Sequence, residues 1–387
     1  MSEIKSPIYL DHHATTPLDK RVLDEMMPYF TEKFGNASSL DHPFGYDASV
    51  AVEDAREKIA NAVGARHDEI VFTSGATESD NIALLGTMQK YADRGNHLIT
   101  CVTEHKAILD TAKHLESLGK KVTYLPVNEL GEIDLKELED SITDDTVMIS
   151  IMMANNEIGT IHDAKAIGEI AHRHEVIFHT DAAQAVGHIP VNVEEMSIDL
   201  MSFSAHKMYG PKGIGALYVR GVKPRVKPDG LFYGGGQERN IRSGTLNVPG
   251  IVGFGKAVEI SQKEMDSENK KFKEWSAMML GEFEKIGGVL NGHPTNRLSH
   301  NLNVYFPGIE GKSIINSVSK EIAISAGSAC TTQNVEPSHV LLALGLDEDT
   351  THYAIRIGIG RFNTIDQIQK AKDMICSSVK SISKINS

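Results

Sequence analysis

From about residue 16 to about residue 260, short apolar runs alternate with stretches whose apolar positions recur every three to four residues. That alternation predicts a mostly parallel sheet covered by helices on both faces. Ser49 to Val63 reads as an amphipathic helix stopped by Gly64, and β-rich runs follow at Glu69 to Thr73, His97 to Cys101, Val147 to Met153, Val176 to His179, Ile198 to Phe203 and Ala216 to Val219. After Pro249 the pattern changes. A helical segment through about Ile286 leads to strands at Asn301 to Phe306, Ile322 to Ser325 and Tyr353 to Ile357, and a last helix starts from Thr364. The expected division is a large α/β domain over 16–260 and a smaller α+β domain built from 1–15 and 261–387.

Composition narrows the function classes. With 387 residues, 41% hydrophobic and 24% charged, the chain has the makeup of a soluble globular protein with a large core. A formal net charge of -13 argues against nucleic acid or an anionic membrane as a partner. Met1 to Leu10 has no signal-peptide core, and the longest nonpolar stretch, Val147 to Ala154, is far too short to span a bilayer. A cytoplasmic protein is expected. The three cysteines, Cys101, Cys330 and Cys376, are widely spaced and suit neither a disulfide framework nor a Cys-x-x-Cys metal site.

Candidate chemistry centres on Lys207, which closes Ser204-Ala205-His206-Lys207 after an apolar run and precedes a glycine-rich stretch from Gly210 to Gly215. An amine so placed is a candidate Schiff-base partner for an aldehyde cofactor, pyridoxal phosphate, although a solvated surface lysine reads the same way. Asp181 ends the preceding strand, where a carboxylate could pair with a pyridinium nitrogen or cap a helix. Gln184 lies one helical turn further on. The run Thr73 to Asp80 passes from strand through a small-residue turn into a helix near Thr77, a cradle for a phosphate dianion. Neither a Walker motif nor a Gly-x-Gly-x-x-Gly turn is present. His105 follows the strand that ends near Val102 and could stack on a ring or move protons.

Cys330 lies in Ser325 to Gln333, small and polar residues bounded by Pro337, which reads as a surface loop carrying a thiol. Cys101 and Cys376 read as small buried hydrophobes. Arg356 sits inside an apolar strand, so it needs a carboxylate, either that of a substrate or a structural Asp or Glu.

Taken together, Tyr9 to Pro17, Phe72 to Asn81, Thr103 to His105, Asn155 to Gly159, Asp181 to Gln184, Ser204 to Gly215, Arg242 to Thr245 and Gly327 to Thr331 resemble the cysteine desulfurases of the iron-sulfur-assembly type, a branch of the fold-type I pyridoxal-phosphate enzymes. The resemblance implies the α/β fold of those transferases, with a mostly parallel sheet of the seven-stranded type. It implies that Lys207 binds pyridoxal 5'-phosphate covalently and later acts as base at the α-carbon. Asp181 would pair with the pyridine nitrogen, Gln184 and Asn156 would bind the ring hydroxyl side, and His105 would stack and transfer protons. Ala76, Thr77, Ser204 and His206 would hold the phosphate, with Thr245 contributed by the second subunit of an obligatory homodimer. Arg356, with Asn156, would clamp the carboxylate of L-cysteine. Cys330 would take the substrate sulfur as a persulfide, leaving L-alanine, and pass it to an iron-sulfur scaffold or another acceptor protein; in some such complexes the same cysteine ligates a shared two-iron cluster. Another reaction on this scaffold, such as that of a selenocysteine lyase or another class V enzyme, is the alternative. Ala205 stands where many members have glycine, and His12-His13 falls in a stretch expected to tolerate variation.

Overall fold

The computed structural model describes residues 7–326 and 336–386. Its centre is a seven-stranded sheet of β2 (Ile70–Thr73), β3 (His97–Cys101), β4 (Lys121–Leu125), β5 (Thr146–Ser150), β6 (Ile177–Asp181), β7 (Leu200–Ser204) and β8 (Gly215–Val219), numbered after a short β1 (Ile8–Tyr9). The spatial order is β2-β8-β7-β6-β5-β3-β4. Every neighbouring pair is parallel except the two that involve β8. Because β8 runs against both its neighbours, β2 and β7 still point the same way.

Most of these strands are apolar on both sides because helices cover both faces. Ile70, Phe72, Met201, Phe203, Ala216 and Tyr218 enter one core, while the alternate residues Val71, Leu200, Leu217 and Val219 enter another. That is the period-two consequence of a strand buried twice. On the first face the helices Pro43–Val63 and Val248–Glu284 press together so closely that a Cβ on Gly255 would lie 2.8 Å from the Ala55 Cα. The Pro43–Val63 helix starts six residues earlier than the apolar periodicity suggests, since Pro43 occupies its first turn and His42 Nδ1 accepts the Gly45 N–H at 3.2 Å.

A separate apolar core gathers Leu10, Phe272, Met279, Phe283, Leu302, Ile355, Ile357 and Ile375. It surrounds an antiparallel sheet ordered β12-β10-β9, made of β9 (Val289–Leu290), β10 (Asn301–Tyr305) and β12 (Ala354–Gly358), with β11 (Ile322–Ala323) pairing parallel to β1. The 37-residue helix Val248–Glu284 serves both regions: Ile251 to Ile260 pack on the large sheet and Phe272 to Phe283 on the small one. Among the described residues, no helix is long and apolar enough to cross a membrane.

Candidate active site

Parallel strands deliver their C-terminal ends to one edge of the sheet, and in an open α/β sheet that edge is where side chains converge on a ligand. Here β2 leads into Gly75, β3 into Glu104 and His105, β5 into Asn155 and Asn156, β6 ends on Asp181, and β7 leads through Ser204 into Lys207. The strand ends bring together Ala76, His105, Asn156, Asp181, Gln184, Ser204 and Lys207 from distant parts of the sequence.

Lys207 is half-buried, and its Nζ donates to two carbonyl oxygens, those of His13 at 2.5 Å and Ala14 at 2.9 Å. Burial, and then the charge of Arg356, lower the amine from its ordinary value to about 8, with Asp181 and Asp11 opposing the shift. A substantial neutral fraction near physiological pH is what a nucleophilic amine needs.

Asp181 is buried at the end of β6, and its Oδ1 accepts the Ala183 N–H at 2.8 Å. Burial raises its carboxyl, whereas His105 and Lys207 pull it back down. Two further acids are enclosed nearby. Asp80 is pushed well up by burial and by the Asp181 charge, and Glu104 by burial and Asp181, against the Met152 N–H that its Oε1 accepts at 2.6 Å. Both oxygens of Asp80 and the Oε2 of Glu104 accept no hydrogen bond within normal length, although His179 Nε2 lies 3.6 Å from Asp80 Oδ1. Burial raises all three carboxyls, Asp80 and Glu104 the more strongly, so Asp181 is the one that most readily takes a negative charge opposite a cation.

The cradle lies beside this group. An ideal Cβ on Gly75 would meet only the Ser204 Oγ, at 3.9 Å, whereas one on Gly215 would lie 2.7 Å from the Gly75 Cα. The turn is thus tight against β8 and open toward the ligand side. The helix Ala76–Asn81 begins there, with its first-turn Glu78 accepting from Ser74 N at 3.0 Å and from Arg242 Nε at 2.8 Å. His206 completes the cradle through Thr15, whose Oγ1 lies 3.0 Å from its Nδ1, and burial with the charges of Lys207 and Lys212 lowers the imidazole to about 4. The open turn, the lowered amine and the enclosed acid fit a phosphate-bearing aromatic aldehyde with a cationic ring nitrogen.

Asp11, which the sequence reading did not single out, occupies Arg356: its Oδ1 accepts from Nη2 at 2.9 Å, and Asn156 O accepts from Nη1 at 3.1 Å. The structural carboxylate foreseen as one option is therefore present, and the buried Nε keeps a donor without a protein partner. His105 caps the helix Lys106–Ser117, its Nδ1 accepting the Ala107 N–H at 3.1 Å, and its side chain is exposed at the crevice.

The His12-His13 stretch does not match the expectation of tolerance. Both rings are buried, His12 Nδ1 lies 2.8 Å from Gly358 O, and a Cβ on Gly360 would fall 2.2 Å from the His12 ring. No sequence spacing marks these histidines, because their partners come from far along the chain. Thr245 is exposed, three residues past Arg242. Cys330, expected as nucleophile and possible metal ligand, lies outside the described residues. Among the described residues no group of three or more His, Cys, Asp or Glu side chains could hold a metal ion. Cys101 is buried with its thiol pushed up to about 12, and Cys376 is partly buried and likewise raised, in line with their reading as inert hydrophobes.

A family model described as aminotransferase class-V matches residues 8–371. Proteins named "Cysteine desulfurase IscS" from Rickettsia massiliae (strain Mtu5) and from Neisseria meningitidis serogroup C are 49% and 50% identical to this chain. The alignments cover 100% and 99% of this chain and 94% and 95% of those relatives. Among solved structures, a NifS-like protein superposes with a TM-score of 0.90 at 38% identity, covering 98% of this chain and all of the other. One described as "SspA in complex with cysteine" has a TM-score of 0.80, also at 38% identity, covering 92% of this chain and 100% of the other.

Proposed function

We infer that this chain, which belongs to the aminotransferase class-V family, is a pyridoxal-phosphate-dependent cysteine desulfurase that takes the sulfur of L-cysteine and releases L-alanine. The observation that carries the cofactor reading is Lys207, an enclosed amine near the end of a strand, lowered to about 8 and held by carbonyl oxygens. The reaction rests on end-to-end similarity to relatives bearing that name and on a neighbour whose structure contains cysteine.

In this reading Lys207 binds the cofactor aldehyde, Asp181 faces the ring nitrogen, and Gln184 and Asn156 lie at the ring hydroxyl. Ala76, Thr77, Ser204 and His206 hold the phosphate, joined by Thr245 of a second subunit. When bound, pyridoxal phosphate supplies an electron sink for charge that develops at the substrate α-carbon. The chain's own groups do the rest. The Nε of Arg356, with Asn156, binds the substrate carboxylate, which leaves the Asp11 pair intact. The Lys207 amine takes the α-proton and returns a proton to carbon, and His105 at the crevice moves protons with solvent. Cys330 attacks the substrate sulfur as a thiolate; the new S–S bond forms as the Cβ–S bond breaks, and the sulfur stays on the enzyme as a persulfide for an acceptor such as an iron-sulfur scaffold. The gathering of Leu10, Phe272, Leu302 and Ile355 in a core apart from the large sheet supports a division into a domain over 16–260 and one from 1–15 and 261–387 that bears Cys330. Exposed Phe30, Phe34, Phe44 and Tyr233, the last 84% accessible, support pairing of two chains.

Mass spectrometry after incubation of the pyridoxal-phosphate-loaded protein with L-cysteine tests the assignment. Cys330 should gain one sulfur atom while alanine appears. Cys330→Ala should keep the cofactor's visible absorption and lose sulfide release; unchanged turnover in that variant overturns the role of the thiol.

A further inference from the structure

We propose that His13 is a positioning residue of the cofactor pocket: its imidazole orients the Gln184 carboxamide, its carbonyl holds the Lys207 amine, and a stack through His300 to His188 locks both in place. The proposal rests on the reading that Lys207 carries pyridoxal phosphate.

Gln184 and residue 13 are joined twice. The Gln184 Nε2 donates to His13 O at 3.0 Å, and the Gln184 Oε1 lies 3.1 Å from His13 Nδ1. A carbonyl oxygen only accepts, so the amide nitrogen must face it and the amide oxygen must face the ring. His13 therefore carries its proton on Nδ1, and its buried Nε2 is a bare lone pair without a partner. One N–H of the Gln184 amide remains for a ligand; with the amide reversed, an oxygen would be presented there instead.

The same carbonyl of His13 accepts from Lys207 Nζ at 2.5 Å, so a single residue holds both the amine and the amide. Its ring is fixed by stacking. His13 lies on His300 with centroids 4.5 Å apart at 20°, and His300 lies on His188 at 4.3 Å and 28°. The far end of the stack returns to the lysine, because His188 Nε2 donates to Lys207 O at 2.9 Å. Room for the first ring comes from Gly358, where a Cβ would lie 2.8 Å from His13 Cδ2. His300 directly precedes β10 and touches Phe272 of the smaller core, so the pocket's lysine is braced from the region around the small sheet. The charged and titratable groups facing His13 are Lys207, Arg356, His188 and His300, none of which is an anion. A proton added to His13 would meet only cations and neutral rings, and although Glu268 faces His188 at the far end, burial holds all three imidazoles below their ordinary value, which keeps the Nδ1–H donor in place.

The test is a mutant cycle on the holoenzyme, read as the dissociation constant for pyridoxal phosphate and as the visible absorption of the bound cofactor. His13→Ala and Gln184→Ala should each weaken the cofactor about tenfold, the cost of one neutral hydrogen bond, and the double variant no more than either alone. Their bound-state spectra should shift in the same sense. His13→Asn, whose side-chain N–H can replace Nδ1–H, should restore both readings. Additive losses, about a hundredfold in the double variant, or no rescue by Asn, overturn the proposal. If His13→Ala does not fold, nitrogen NMR of histidine in the unaltered holoenzyme decides: protonation of His13 on Nδ1 is expected, and protonation on Nε2 overturns it. Failure of the unaltered protein to bind pyridoxal phosphate would instead overturn the function on which the proposal rests.

Discussion

Lys207 and Arg361 are two enclosed cations, and the fold treats them in opposite ways. Arg361 meets carboxylates: Nη1 donates to Asp19 at 3.1 Å and Nε to Glu268 at 2.6 Å, and its guanidinium lies 4.2 Å from the centroid of the Tyr209 ring. Lys207 meets two carbonyl oxygens and keeps a lowered affinity for its proton. Carboxyl groups divide in the same way. Glu238 forms a two-pronged pair with Arg56 at 2.8 Å on both prongs, whereas Asp80 and Glu104 keep oxygens without partners at the crevice. Charges that are neutralised inside the fold hold it together, and polar groups left short of partners near the sheet edge are available to a ligand.

The largest effect should come from Lys207. Lys207→Ala should lower turnover of L-cysteine by about 10³-fold or more, since both covalent attachment and the base are lost. The stability of the cofactor-free protein should move the other way. In the fold the amine gives up its proton near pH 8, and in the unfolded chain near its ordinary value of 10.5. Below pH 8 folding must enclose the charge, and that cost fades as pH rises from 8 toward 10.5. Lys207→Met should therefore melt above the parent protein at pH 7, with the gap closing over that interval. A gap that widens with pH would break the contrast with Arg361.

Arg361→Met supplies the other half. Its loss leaves Glu268 enclosed without its cation and Asp19 with Arg21 alone, so urea unfolding should show a loss of about 3–5 kcal/mol. A loss below about 1 kcal/mol, within the range of exposed pairs, would mean that Arg361 is no more structural than a surface charge.

A smaller, shared effect comes from the enclosed imidazoles. Burial lowers His12 and His206 to about 4 and also lowers His179, His188 and His300. A group whose proton affinity falls on folding costs nothing above its unfolded value and destabilises below it. The contribution of these rings to the denaturant midpoint should be nil above pH 6.5 and should lower it from there toward pH 4. A midpoint unchanged across that interval would mean these rings are solvated.

How far the chain announces these features depends on whether one segment suffices to show them. β3 was legible to the residue, since His97 to Cys101 is an uninterrupted run buried on both faces. β4 went unnoticed because Lys121 to Leu125 is a sheet-edge strand, mostly half-exposed, and its mixed residues carry little apolar signal. In the site, Lys207, Asp181 and the Gly75 turn follow strands directly, so local pattern located them. The stack of His13, His300 and His188 joins three histidines, two of them 287 positions apart (300 − 13), and nothing along the chain links them. For Arg356 the residue type required a carboxylate but could not choose between one from a substrate and Asp11.

The smallest expected effect is also the control on the whole comparison. Lys20 and Asp24 form an i,i+4 pair at 2.7 Å, with the two side chains 82% and 58% exposed. Its length is close to those of the Arg361 contacts, so distance alone would rank the pairs as equals. Water already solvates both surface charges and salt screens what remains, so Lys20→Ala should cost about 0.3–0.5 kcal/mol, measured by urea unfolding at low ionic strength, and less as salt is added. Arg361→Met should resist screening, because its partners are enclosed. Equal losses in the two variants, or equal salt dependence, would show that burial does not separate scaffold charges from surface ones, and the contrast with Lys207 would lose its physical basis.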